Sequence, residues 1–349
     1  MIIGGQCLVK LADTLEQLMA LPLEICLQAP LIPAAGKSNT AINEDLTQQV
    51  YYLKSTHPIT EFLWLYRQID LEEMIYTYRI NTLPPYCHLL LKAAPDTDLR
   101  QALNNAYQCI EGEYMYALSA SLRRVLSDFM ITLYQERSCC WFKAINKAYY
   151  RAEYDNFKSY TAYLKALFRK YARLLVIRVD LGYYQFVQTP YKQFMEDVDT
   201  FLKKIPFHPV FQHKVGYIWK LEYGQQKGFH VHLLLLYDGS KRRADYHIAK
   251  KIGELWQGMA PHRCLYFNCH EKTYQARYPI NCLGLVTRHN EDIIKHLQNK
   301  VVDYFTKTDP YIKLFNQNTH KLSDRGQLPK AKTKNYSDKN KLTATNDHD

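Results

Sequence analysis

Two histidines separated by one valine, His230 and His232, interrupt the apolar run GFHVHLLLLYDG (228–239). Side chains alternate across a strand, so the pair shares one face while Val231, Leu233 and Leu235 share the other. An acidic residue precedes them. Glu222 sits near the end of VGYIWKLEYG (215–224), and a turn of about five residues lets two antiparallel strands bring its carboxylate beside both imidazoles. Two imidazoles and a carboxylate can hold one cation and leave positions open for water and substrate oxygens, as a catalytic ion requires. A lone strand histidine is more often a satisfied core residue, but a pair facing the same way needs two separate partners.

A second chemical signal lies in EDIIKHLQNKVVDYFTK (291–307), which has helical period. Lys300, Tyr304 and Lys307 fall along one stripe, and Ile294, Leu297, Val301 and Phe305 form the packing face. A tyrosine between lysines is either a solvated edge or an activated nucleophile near a phosphate, and the helix alone leaves both open. Two further signals are weaker. Cys264, Cys269, His262 and His270 have zinc-compatible spacing, yet Leu265, Tyr266 and Phe267 alternate as in a strand. Gly36, Lys37 and Ser38 look like the end of a phosphate loop, but Leu31 stands where its first glycine belongs.

The elements that must position these residues lie after residue 170. RLLVIRVDL (173–181) predicts a strand, 190–205 a helix, and 215–224 and 229–237 two strands turned by Gly224 and Gly228. A helix (246–257), short strands (263–269 and 282–287) and the helix ending before Pro310 follow. The order β-α-β-β-α-β predicts an α+β fold, a ferredoxin-like split βαβ with an antiparallel central sheet. Divided by parity, each of the first three strands offers an apolar face for helices and a face carrying charged or ligating groups. Arg178 and Asp180 share the latter face on the first strand, and Lys220 and Glu222 on the second.

Residues 1–45, with two prolines in APLIPAAGKSNT, read as an N-terminal segment or linker. Residues 46–170 read as a mainly helical domain, a candidate for DNA binding. Its tyrosines 149, 150, 154, 160 and 163, near Arg151, Lys158 and Lys165, suit base stacking or, more commonly, aromatic helix packing. Residues 171–315 read as the catalytic domain, and the polar stretch 316–349 as a disordered basic tail.

Composition narrows the partner. Of the 349 residues, 45 are Lys or Arg and 34 Asp or Glu, and the resulting +11 favours a polyanion, most plausibly nucleic acid. Nine irregularly placed cysteines do not make a disulfide framework, which predicts a reducing, cytoplasmic setting. The first residues lack a secretory pattern, and no run approaches the roughly 18 apolar residues of a spanning helix, so a soluble protein with no membrane partner is expected.

LEYGQQKGFHVHLLLL followed by a helix with Tyr-x-x-Lys, YFTK, resembles the HUH rolling-circle replication initiators and nickases. More narrowly, RVDLGYYQ, the LEYG to HVHLLLL block and DYFTKTDPYIK are similar to the inovirus replication-protein-like family, related to the YagK and YfjJ C-terminal domains of prophage origin. The resemblance covers about 171–315. It implies that His230, His232 and Glu222 hold Mg²⁺ or Mn²⁺ and that Tyr304 is the nucleophile. Tyr311, beyond Pro310 on a different element, is the only close follower, and a one-tyrosine enzyme is expected.

Such an enzyme nicks and rejoins single-stranded origin DNA through a 5′-phosphotyrosine, starting rolling-circle replication of a phage, prophage or related element. Lys307 would ease phenolate formation or steady the phosphate. Arg178, Lys220, Lys300 and the Lys241, Arg242, Arg243 cluster would hold the DNA backbone. Origin recognition or recruitment of a host helicase falls to the first 170 residues. The alternative is a relative that binds DNA as a regulator without cutting it. A small-molecule hydrolase on a (β/α)8 barrel is disfavoured, because only 117 residues follow His232 and a barrel needs about 250 in all.

Overall fold

The computed structural model describes residues 2–22, 31–33, 51–53, 58–70, 73, 76–78, 82–93, 97–110, 113–118, 120–184, 190–224, 227–316 and 320–328. Gly36, Lys37 and Ser38 lie outside them. The chain is mixed α+β, with a helical N-terminal region and an open antiparallel sheet.

The N-terminal region contains α1 (Ile2–Met19), α2 (Pro58–Gln68), α3 (Pro85–Ala93), α4 (Thr97–Ala106) and α5 (Ala120–Ser138). Leu8, Leu11, Leu15 and Leu18 recur at helical spacing and are buried with Phe62, Leu89 and Leu133 in one core. Residues 2–19, read from sequence as part of a linker, are thus a core helix. The same region also carries strands, β1 (Leu31–Pro33), β2 (Tyr51–Leu53), β3 (Tyr107–Ile110) and β4 (Glu113–Leu118), paired in the order β1-β2-β4-β3.

Helix α6 (Cys140–Lys170) joins this region to the main sheet. Phe142 at its start packs in the N-terminal core, whereas Tyr160, Tyr163, Leu164 and Leu167 near its end pack beneath the sheet. Tyr160 and Tyr163 take the packing role, and Tyr154 is left exposed.

The sheet is built from β5 (Arg173–Tyr183), β6 (Lys214–Gly224), β7 (Gly228–Asp238), β8 (Cys264–Asn268), β9 (Gly284–Thr287) and β10 (Ser323–Arg325). Its order is β10-β6-β7-β5-β8, with β9 also on β5, and every pair is antiparallel. Strand β10 comes from the stretch read as a disordered tail; residues 329–349 of that stretch lie outside the described residues.

One face of the sheet is uniformly apolar. Leu175, Ile177, Val179, Leu233 and Leu235 meet α7 (Tyr191–Lys204) and α8 (Asp245–Gln257). Phe194, Val198 and Phe201 on α7, and Ile248, Ile252 and Trp256 on α8, supply the helical stripes. The buried Trp256 indole donates to the Gly182 carbonyl at 2.9 Å, tying α8 to β5.

The opposite face is divided. Leu174, Val176, Ile218, Leu234 and Leu236 pack on α6 and on α10 (Glu291–His296), α11 (Val302–Thr306) and the π turn between them, Leu297–Val301. Toward the β6–β7 hairpin the same face becomes polar, and there Asp180, Lys220, Glu222, His230 and His232 gather. Gly228 holds the hairpin's return at φ +64°, a left-handed conformation that glycine adopts without the penalty other residues meet.

Candidate metal and nucleophile site

Strand pairing sets the site as two parallel rows. Lys220, His232 and Asp180 stand side by side across β6, β7 and β5, and Glu222, His230 and Gly182 form the next row. Partners in an antiparallel register project to the same side, so five polar side chains share a patch two residues deep. Gly182 leaves room for His230. A Cβ there would approach the His230 Cβ to 3.3 Å.

The ligating atoms of Glu222, His230 and His232 lie within 4.8 Å of one another, and among the described residues this is the only three-residue His/Cys/Asp/Glu group so placed. Each imidazole is oriented by a partner on its other nitrogen. His232 Nδ1 lies 2.7 Å from Asp180 Oδ1, and His230 Nδ1 lies 3.0 Å from the Gly228 carbonyl. A terminal nitrogen of Arg178 also reaches His232 Nδ1, at 2.9 Å, and the Nε2 atoms of both rings face Glu222. The Nε2 to Oε2 distances are 2.8 Å for His232 and 3.6 Å for His230. Two imidazoles and one carboxylate, each held by a second partner, suit a divalent cation.

Sequence reading missed Asp180 as part of this set. Its parity with Arg178 placed it on the right face, but its pairing with His232 is a matter of register. Burial disfavours its charge, yet His232 and Arg178 outweigh that and hold the carboxyl well below the usual range. Arg178 returns the interaction through Nε at 3.0 Å and a terminal nitrogen at 3.3 Å. Burial opposes the Arg178 charge as well, and Asp180 more than compensates. The Arg178 backbone N–H donates to His270 Nε2 at 3.2 Å, filling the gap on β5 between its β8 and β9 partners. His270 Nδ1 in turn meets Asp245 at 3.1 Å. With both ring nitrogens engaged within the fold, His270 has a structural role.

Tyr304 reaches the cluster from α11. Its hydroxyl donates to Glu222 Oε2 at 2.8 Å, the same oxygen that faces His232. Its ring lies over His232 at 5.3 Å, with the Lys220 ammonium 4.4 Å and the Arg178 guanidinium 5.3 Å from its centroid. Burial and the Glu222 charge raise the Tyr304 pKa above the ordinary tyrosine value, with Arg178 opposing them. Burial also penalises the Glu222 charge, but hydrogen bonds from His230 and His232, the His232 charge and Lys220 hold that carboxyl far below its usual range.

The π turn decides how Tyr304 is presented. A regular helix would bury Val301 beside Leu297 and Phe305; with one wider turn, Val302 takes the buried place and Val301 faces the cavity. Past α11, the buried Asp309 carboxylate accepts from the Tyr311 N–H and the Tyr223 N–H, each at 2.8 Å. It thus caps α12 (Pro310–Asn316) and ties it to β6 just beyond Glu222.

Around the cluster opens a cavity of about 450 Å³, within the range of small-ligand sites. Arg178, Lys227 and Lys300 supply positive charge to its lining. Lys227, in the hairpin turn, carries no pattern that sequence reading could have used.

Several assigned residues are elsewhere. Lys307, expected beside the phenol, instead pairs with Asp303 at 2.8 Å, is largely exposed and does not line the cavity. The helix ends there, and an exposed ammonium one turn from an aspartate has a nearer partner. Lys220 is only 4% exposed and cannot grip a DNA backbone; its ammonium is committed to Glu222 Oε1 and to the Tyr304 carbonyl at 2.9 Å. Lys241, Arg242 and Arg243 follow the far end of β7, about 20 Å or more from the histidines at ~3.3 Å per residue. Arg242 there donates to the Val210 carbonyl at 3.3 Å. Tyr311 is buried against Tyr223, with ring centroids 4.3 Å apart, and is not in the cavity.

No helix among the described residues is long and apolar enough to cross a membrane. A family model for the YagK/YfjJ C-terminal domain matches residues 142–298. The match runs from the start of α6 through the sheet, takes in Asp180, Glu222, His230 and His232, and stops short of Tyr304. No curated protein and no solved structure matches the chain.

Proposed function

We propose that the protein is a metal-dependent single-strand DNA nickase and strand transferase of the HUH type, with Tyr304 as nucleophile, acting as a replication initiator for a mobile element. The observation that carries this reading is the convergence of Tyr304, His230 and His232 on the Glu222 carboxylate. The order β6-β7-β5-β8, with α7 and α8 on one face, is that of a ferredoxin-like split βαβ and supports the same reading. So does the +11 charge, which suits a polyanion in the cytoplasm.

Glu222, His230 and His232 would hold the cation, Mg²⁺ or Mn²⁺. When bound, it supplies charge neutralisation at the non-bridging oxygens of a phosphodiester. The chain's own residues do the rest. Glu222 Oε2 is the acceptor nearest the phenol and orients its lone pairs. Arg178, held by Asp180, is the fixed positive charge that favours phenolate character as the nucleophile attacks. The Tyr304 oxygen loses its proton to solvent and bonds to phosphorus, the bond to the 3′ oxygen breaks, and that oxygen takes up a proton from solvent to become a free hydroxyl. The product is a 5′-phosphotyrosine, and reversal by a 3′-hydroxyl rejoins the strand.

The test is a nicking assay on the element's own intergenic DNA as single strands, with Mg²⁺ or Mn²⁺, scored for a covalent protein–DNA species. The adduct should form, map to Tyr304 and vanish in Tyr304→Phe. Adduct formation by Tyr304→Phe would remove the assignment of the nucleophile. Salt-dependent binding without any nick would leave a DNA-binding regulator as the function.

A further inference from the structure

The rows of the site do not stop at β5. Asp180 pairs with Phe267 and Gly182 with Leu265 on edge strand β8, so both of these project from the same face as the cluster. Both are 40% exposed. From the end of β8 the chain forms α9 (Lys272–Gln275) and turns back toward β9, walling the cavity with Tyr274, Gln275, Tyr278 and Ile280. Tyr274 is held at its edges by Phe267, 5.0 Å away, and by Tyr278, 5.4 Å away, and the two hydroxyls meet at 2.9 Å. Tyr278 is left 50% exposed.

The cavity is therefore asymmetric. The nucleophile, the histidine cluster, Lys227 and Lys300 come from the β6–β7 hairpin and the 291–306 helix, whereas Tyr274, Tyr278 and Ile280 come from the connection between β8 and β9. A single strand of DNA has the same asymmetry, with phosphates along one edge and unpaired bases along the other. We propose that Phe267, Tyr274 and Tyr278 form a stacking platform for the nucleobases next to the phosphate that enters the cluster, an inference that rests on the reading of the site as one for single-stranded DNA. Asn281, beside these rings, donates to Gln275 at 3.1 Å and accepts from the Leu283 N–H at 2.9 Å. The rings themselves accept any base through their π faces.

The experiment is equilibrium binding of full-length protein, in a Tyr304→Phe background without added metal, to two fluorescent 12-nucleotide probes. One is oligo-dT and the other has the same phosphates with every base removed. Tyr278→Ala should weaken binding of oligo-dT by about tenfold, the size of one base–aromatic contact, and should leave the abasic probe unaffected. Tyr278→Phe keeps the ring and should bind both probes like the parent, and Phe267→Ala should behave like Tyr278→Ala. If the parent binds both probes alike, or Tyr278→Ala keeps the preference for bases, the platform is overturned while the nickase reading stands. Binding to neither probe overturns both.

Discussion

Asp180 and His232 face each other across β5 and β7, and the carboxylate oxygen lies 2.7 Å from the imidazole Nδ1. The contact holds the His232 ring from behind and so makes Asp180 a positioning residue of the candidate metal site. Asp180→Asn should weaken Mn²⁺ binding about 10- to 100-fold by calorimetry, the usual cost of losing such an orienting partner. His230→Ala and His232→Ala should each lose it further, and Tyr304→Phe should retain it. Unchanged affinity in Asp180→Asn would show that the imidazole is oriented by something else.

Lys220, under the phenol, and Lys307, exposed at the end of its helix, should separate cleanly. Lys220→Ala leaves the Glu222 carboxylate without its closest cation in a largely buried setting, and should cost about 3 kcal/mol in urea unfolding. Lys307→Ala removes only an exposed pair with Asp303 and should stay within about 0.5 kcal/mol of the parent. The adduct yield should likewise fall in the first and persist in the second.

Gly253 on α8 faces the root of the Tyr266 ring so closely that an added Cβ would lie 2.0 Å from a ring carbon. Alanine normally favours a helix over glycine, but here the ring must move, and overpacking of this kind costs about 1–3 kcal/mol. Gly253→Ala should lower the melting temperature, and adding Tyr266→Ala should restore part of the loss. A single variant that melts higher than the parent would mean that the helix and β8 can separate freely.

The Asp197 carboxylate on α7 accepts two hydrogen bonds from Arg263, at 2.9 and 3.0 Å, and one from Tyr183. Burial raises its pKa, but Arg263 and Tyr183 together hold it below the ordinary value of 3.8. A depressed carboxylate adds stability above the unfolded value, and that stability is lost as pH falls below 3.8 toward the folded value. The gap in melting temperature between the parent and Asp197→Asn should therefore be constant near neutrality and close below about pH 4. A gap that persisted at pH 3 would assign the effect to shape and not to charge.

Much of the site was legible in the chain because strand parity and helical period are local. Parity alone put Arg178, Asp180, Lys220, Glu222, His230 and His232 on one face, and β5, β6 and β7 run within a few residues of their expected limits. Errors arose where a competing local rule prevailed. A regular 3.6-residue period placed Val301 inside and gave no hint of the π turn that exchanges it for Val302. Charge type alone offers Lys241, Arg242 and Arg243 as holders of a DNA backbone, although they stand at the other end of an extended strand from the histidines.

By itself the sequence determined which residue types were available, which face of each strand they share, and that an acid and two imidazoles lie one hairpin apart. Only the tertiary structure decided register and reach: that Asp180 backs His232, that Lys220 is buried under Tyr304, and that α11 carries the phenol to Glu222 from 82 residues away. The physical reason is that parity follows from backbone geometry within one segment. Which residue stands opposite which depends on hydrophobic packing of many segments at once, and no single one of them encodes it.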